Sequence, residues 1–317
     1  MKHNIYTILF IYFMLITNMF SQQDPMFTKY MFISDMMVNP ASTGRGDKTK
    51  TAIFYRNQWN GVQGAPTTAG LSYEMPLNEG SAGIGLNLYQ DKIGFETHSG
   101  VYVNYAYHLQ LQKGITLSLG IKGGMSFYQA NLTDALTPEP QNFDPIFASN
   151  NKVVVPKTGA GIFLASSRTY FGFSVPVLAA LMPNSNFVFN DDNAYLSRHF
   201  YATGGHIFDI PDTDLQLKPS IFLKYHKAAP LQLDFSAQLW YKDLFSFGLS
   251  YRTGDAISAI TDIAISKQFV FSYAYDYTNS EFRNIGQGAH EFIITYLWAK
   301  KNMKVPSIHK FSTLPRF

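Results

Sequence analysis

Between Leu231 and Leu239 apolar and polar residues take strict turns. Leu231, Leu233, Phe235, Ala237, Leu239 and Tyr241 hold the odd positions, with Gln232, Asp234, Ser236 and Gln238 between them. Successive side chains of a β-strand point to opposite faces, so this run is a strand with one oily and one wet face. The pattern recurs along the chain. Val101, Val103, Tyr105, Tyr107, Leu109 and Leu111 form one such row, Phe245, Phe247, Leu249 and Tyr251 another. Phe269, Phe271, Tyr273, Tyr275 and Tyr277 make a third, and Phe292, Ile294, Tyr296 and Trp298 a fourth. About 14 segments follow one another, near 49–58, 66–77, 81–92, 96–112, 114–130, 157–166, 168–179, 196–209, 213–227, 230–241, 243–253, 256–265, 267–278 and 289–299. A helical membrane protein needs repeated runs of about 20 apolar residues, and this region has none. A strand that crosses a bilayer needs only every second residue to be apolar.

A soluble β-sandwich or β-propeller also alternates, so the connections must decide. If the strand series starts and ends on one side, its even-numbered links share that side. Those links are short: Asn78–Gly80, Gln112–Lys113, Ser166–Ser167, Pro211–Asp212, Lys242 and Ser266. The odd-numbered links include the long stretches 131–156, 180–195 and 279–288. Short periplasmic turns and long outer loops characterise bacterial outer-membrane barrels, and a propeller has no reason to sort loops by parity. Composition agrees: 20 Tyr and 27 Phe stand beside a mean hydropathy of only −0.07. The expected fold is therefore all-β, a transmembrane antiparallel β-barrel of about 14 strands. Pro176 and Pro219 fall inside expected strands, where a missing N–H breaks a ladder bond, so each calls for a bulge or a shifted register.

The N-terminus points to export. Lys2 and His3 precede an apolar run from Ile5 to Ile16, and Ser21 offers a small residue for cleavage. This is the pattern of a secretory signal peptide over residues 1–21, since the run is short for spanning about 30 Å of hydrocarbon. Residues 22–47 lack period-2 alternation, and Pro40 stops any helix begun near Phe27. They form an N-terminal periplasmic or plug segment at the mouth of a barrel occupying 48–300, with residues 301–317 as a periplasmic tail. The whole chain carries a formal charge of +3, too weak to imply nucleic acid. The absence of cysteine excludes a disulfide framework and an N-terminal lipid anchor.

No catalytic, cofactor or metal constellation emerges. Gly120–Gly124 lacks the setting and the Lys-Ser/Thr end of a phosphate loop, and glycine is common where barrel walls pack tightly. His206, His226 and His290 share no ligand spacing. The chain is not expected to be an enzyme.

Four stretches carry a family resemblance. The first is Gln22-Gln23-Asp24-Pro25-Met26-Phe27-Thr28-Lys29-Tyr30-Met31-Phe32 with Asn39-Pro40-Ala41. The second is Tyr55-Arg56-Asn57-Gln58-Trp59 with Gly64-Ala65-Pro66-Thr67-Thr68. The third is Gly83-Ile84-Gly85 with Asp91-Lys92-Ile93-Gly94. The fourth comprises Pro230–Asp234, Gly248-Leu249-Ser250-Tyr251-Arg252 and Gly288-Ala289-His290-Glu291. In order and spacing the chain resembles the PorP/SprF family of type IX secretion and gliding-motility proteins. The resemblance implies an outer-membrane barrel that supports export, retention or attachment of a large surface protein. Implied partners are an adhesin with a C-terminal export signal, secretion and gliding components in the outer membrane and periplasm, and membrane lipid. An Asn-Pro-Ala element also occurs in fatty-acid transport barrels, which makes a channel or hydrophobic-substrate transporter the alternative.

The candidate partner-binding residues are Arg56, Trp59, Asp91, Phe143, Ile146 and Phe147. Arg56 reads either as an inward charge at the outer rim or as the stabilising partner of a lumen carboxylate such as Asp91 or Asp234. Asp91 opens an outer turn. Trp59, Trp240 and Trp298 read as interface anchors. Phe143, Ile146 and Phe147 are apolar anchors in a loop stiffened by Pro138, Pro140 and Pro145, which either meets a partner or folds inward over the lumen. N-terminal sequencing of the protein from outer membranes should begin near Gln22, and recovery of an intact Met1 would overturn the leader.

Overall fold

The computed structural model describes residues 35–134, 150–181, 187–188, 198–227, 229–279 and 288–298. The expected leader and C-terminal tail and the candidates Phe143, Ile146 and Phe147 lie outside the described residues. The strands are β1 (Lys50–Gln58), β2 (Thr67–Leu77), β3 (Ala82–Ile93), β4 (Glu96–Gln112), β5 (Ile115–Ala130), β6 (Asn151–Ala165) and β7 (Thr169–Leu181). They continue with β8 (His199–His206), β9 (Leu215–His226), β10 (Gln232–Tyr241), β11 (Phe245–Arg252), β12 (Ala256–Ala264), β13 (Phe269–Thr278) and β14 (Ala289–Leu297). Each pairs antiparallel with the next, and β1 pairs with β14 from Lys50↔Leu297 to Gln58↔Ala289, closing a 14-stranded barrel. Two further two-residue pieces, Phe187–Val188 and Phe208–Asp209, extend the ladders of β7 and β9.

Both ends of the strand series meet at the end of the barrel that carries the tight turns. At two of these the chain reverses through consecutive residues of positive φ, Asn78 (47°) with Glu79 (57°) and Lys242 (48°) with Asp243 (58°). That backbone matches the right-handed twist of the strands it joins. In bacterial barrels this end faces the periplasm.

β6 starts at Asn151, six residues before the alternation suggests. Pro156 reads as a boundary because it lacks an N–H, yet it sits inside the strand opposite Met125, and β5 is paired out to Ala130↔Asn151. The two awkward prolines behave differently. Pro176 lies in a bulge, where the β6–β7 register jumps from Thr158↔Ala179 to Ala160↔Val175. Pro219 keeps its register with Ala237 and lies where the β8 ladder is interrupted before Phe208 pairs with Leu217. In both places the missing N–H coincides with a gap in the ladder.

The barrel is apolar outside and polar within. Phe235 is 48% exposed while its neighbour Ser236 is 8% exposed, and this contrast repeats along every long strand. Tyr55, Tyr225, Tyr251 and Tyr277 ring the outer side of the band, and Tyr241, Phe245, Phe269 and Trp298 ring the turn side. Such girdles sit at the level of lipid headgroups. Trp298 donates its indole N–H to Thr51 Oγ1 at 2.9 Å. Trp240 does not join this belt: with Leu239 and Tyr241 outward it must point inward, where it packs on Val270 and Leu297. A cation on the lipid face near the midplane costs about 2–4 kcal/mol. Phe235→Arg should therefore block assembly far more than Ser236→Arg, measured as heat-modifiable barrel in purified outer membranes. Equal yields would mean that the facing is wrong.

Candidate functional site in the barrel lumen

The segment before β1 lies against the inner wall, and its sequence explains its shape. Asn39 is extended, Pro40 lacks an N–H, and a short 3-10 turn follows over Pro40–Ser42. Asn39 Oδ1 accepts from the Ala41 N–H at 2.9 Å, and Ser42 Oγ donates to Asn39 O at 2.8 Å. Asn39 thus caps its own turn. Its other amide atom, Nδ2, donates to Ile162 O of β6 at 2.9 Å and to Phe173 O of β7 at 3.4 Å. One side chain both folds the segment and docks it.

The wall accepts this because it is floored with glycine. A Cβ at Gly120 would collide with the Ala41 amide, and one at Gly161 with Asn39 Oδ1. Polar groups then fasten the backbone. Ser174 Oγ donates to Val38 O at 2.8 Å, and the Gly44 N–H donates to Glu74 Oε2 at 2.8 Å. His108 Nε2 lies 3.1 Å from Thr43 O, and its Nδ1 2.8 Å from Ser118 Oγ. A carbonyl only accepts, so the Nε2 carries the proton and Nδ1 accepts from Ser118 in the neutral ring. Lys50 pairs with Glu74, and the Arg45 guanidinium lies 4.1 Å above the Phe163 ring.

A second cluster occupies the outer half of the lumen. Arg56 donates to Glu291 at 2.9 Å and to Asp276 at 2.7 Å, and is 2% exposed. Arg252 donates to Asp234 at 3.0 Å and to Asp255 at 3.1 Å, and lies 3.6 Å from Asp276. Asp276 is shared, so β10, β11, β13, β14 and β1 are tied in one network. The lumen carboxylates that bond Arg56 are Glu291 and Asp276. The register places Glu291 directly opposite Arg56 across the closing seam, while Asp91 accepts from Thr68 Oγ1 at 2.5 Å. Trp59 follows β1 at the outer rim with φ 48° and is half-buried.

Buried charge is divided between two walls. Among the described residues, β4–β9 contribute buried Lys122, Lys157, Lys218 and Lys224 and no buried carboxylate. The remaining strands contribute buried Glu74, Asp91, Asp234, Asp262, Asp276 and Glu291 with Arg56 and Arg252. The basic wall is lined with rings: His98 stacks on Tyr128 at 4.1 Å, Lys157 donates to Tyr128 Oη at 3.0 Å, and Lys122 lies 4.5 Å over Tyr102. Among the described residues no cluster of His, Asp or Glu is placed to hold a metal.

Residues 19–296 match the family model of the type IX secretion system membrane protein PorP/SprF. The chain belongs to this family. The stretches that carry the resemblance supply much of the interior: Asn39 of the docked turn, the Thr68–Asp91 pair, and Arg56, Asp234, Arg252 and Glu291 of the ion network. Asp276, His108, Ser174 and Glu74 lie outside those stretches. No curated protein matches the chain in sequence. Among solved structures it is similar to the CymD monoaromatic hydrocarbon channel, with TM-score 0.52, 11% identity, and coverage of 89% of this chain and 95% of that one. It is also similar to the Ralstonia pickettii toluene transporter TbuX (0.47, 10%, 84% and 93%). The Acinetobacter baumannii outer membrane protein Omp33 is a further match (0.42, 11%, 81% and 100%). The likeness to CymD is one of fold: this family member is an outer-membrane β-barrel.

Removing one partner of a buried ion pair leaves an uncompensated charge, at about 3–5 kcal/mol. Arg56→Met should lower the urea midpoint of the folded barrel accordingly, read by gel shift. Adding Glu291→Gln and Asp276→Asn should restore much of the loss. A single variant as stable as wild type would show that the cluster does not hold the seam.

Proposed function

We propose that the barrel supports export, retention or attachment of a large surface adhesin bearing a C-terminal export signal, in company with type IX secretion and gliding components. The leader over 1–21 delivers the chain through the general export route and is removed near Ser21. The observation that carries this reading is the docked N-terminal segment, in a chain that belongs to a secretion family. The segment is capped, hydrogen-bonded to the wall on β2, β4, β6 and β7, and set on glycine. A diffusion channel needs a clear lumen, whereas an attachment protein needs a rigid frame that presents loops.

In this reading the loop between β5 and β6 carries recognition through Phe143, Ile146 and Phe147, and Trp59 adds an aromatic contact at the same rim. Arg56 and Asp91 serve recognition indirectly by holding β1–β3 and β14 in register beneath those loops. Apolar anchors on a proline-stiffened loop bind well because little conformational entropy is lost on association. Deleting Glu139–Ser149 should reduce surface-attached adhesin by about tenfold or more, the scale of losing one or two anchor side chains, with normal barrel assembly. Intact attachment with new permeability to small hydrophobic solutes or antibiotics would instead mark the loop as a closure and favour the transporter alternative.

A further inference from the structure

The wall that holds the N-terminal segment reads backbone more than side chains. Ser174 and His108 bind the carbonyls of Val38 and Thr43, and Glu74 binds the amide of Gly44. Among side chains, Asn39 bonds Ile162 O and Phe173 O, Met36 is fully buried beside Gly85, and Arg45 lies over the Phe163 ring. Ala41, Ser42, Thr43 and Gly44 are all small, and a Cβ at Gly83 would meet the backbone of Thr43. The fit therefore specifies an asparagine at a turn followed by small residues, held by main-chain bonds. That is how a wall recognises a peptide.

The seat also has bonding capacity to spare. Asn104 is 0% exposed, and both atoms of its side-chain amide lack a hydrogen-bond partner. Asn87 Oδ1 and Thr43 Oγ1 are buried and unpartnered as well. Asn104 lies opposite Gly85 in the β3–β4 register, and an ideal Cβ on Gly85 would stand 2.5 Å from Met36 Sδ and 2.9 Å from Thr43 Cγ2. Asn104 and Thr43 thus lie along one margin of the seated segment. Buried polar groups without partners disfavour the state that contains them. A side-chain amide offers both donor and acceptor, the complement of a peptide group.

We propose that the glycine-floored inner wall of β2–β7 is a polypeptide-binding groove. The chain's own residues 36–45 occupy it in the resting barrel, and a segment of the exported partner with an Asn turn and small residues takes it in exchange. This rests on the attachment function, and its test uses no adhesin, so the two readings fail separately.

The chain contains no cysteine, so Ser42→Cys places a unique thiol on the seated turn, where Ser42 is buried. The full-length variant in lipid nanodiscs is treated with a hydrophilic maleimide, with and without a synthetic peptide of sequence Val38–Asp47. Exchange predicts a saturable rise of at least about fivefold in the labelling rate of the introduced thiol, the scale of a modest shift in the seated population. The same peptide with leucine for its asparagine should have no effect. Fluorescent peptide should bind the wild-type barrel, and Gly161→Val should abolish that binding while exposing the thiol at position 42 unaided. An unchanged labelling rate at saturating peptide overturns the proposal, and so does equal exposure by the leucine peptide. If Gly161→Val does not assemble, the two peptide arms decide alone.

Discussion

A backbone in hydrocarbon has no water to bond, so a sheet that crosses a membrane must leave no open edge. Everything in this molecule depends on the pairing of β1 with β14, which brings residues 50–58 against 289–297 and turns a curved sheet into a barrel. Backbone bonds alone would close that seam in any register that satisfied them. The side chains select one. Arg56 meets Glu291 directly across the seam and reaches Asp276 one strand further on, and both acids are buried. A slip of one residue would turn Arg56 outward into lipid, where a cation is costly, and would leave two inward carboxylates without it.

Closure makes an inside, and the inside has to be filled. A 14-stranded ring is too wide for opposing side chains of ordinary size to meet everywhere. The N-terminal segment supplies the missing mass on one side, and glycine on β3, β5, β6 and β7 lets its backbone approach the wall. Elsewhere charge fills the space in two ways. Paired acids and arginines line the seam wall, and lysines over tyrosine rings line the opposite one. The division means that the lumen carries a transverse field although its described buried charges balance.

Much of the fold is legible in the sequence because period-2 alternation reports facing directly, and loop length reports which end a turn occupies. Legibility fails where a single residue interrupts the pattern. Pro156 conceals the first third of β6, since a proline inside a strand looks like its end. Trp240 reads as a lipid anchor by residue type although its own parity places it inside. The site is less legible for a stronger reason. Arg56 and Glu291 are 235 positions apart, and only the closing register makes them neighbours. Asn39-Pro40-Ala41 stands out as a motif, but its bond to the wall does not, because nothing local encodes which strand a free amide will meet. Motifs mark Arg56, Asp234, Arg252 and Glu291 as special without saying that one ion network gathers them.

The central proposal is that this barrel works as a frame that presents its outer loops, and not as an open conduit. Planar-bilayer recording of the full-length protein tests it most directly. The account predicts that inserted wild-type barrels carry no steady open current. A large, continuous, voltage-independent conductance through each wild-type barrel would contradict it.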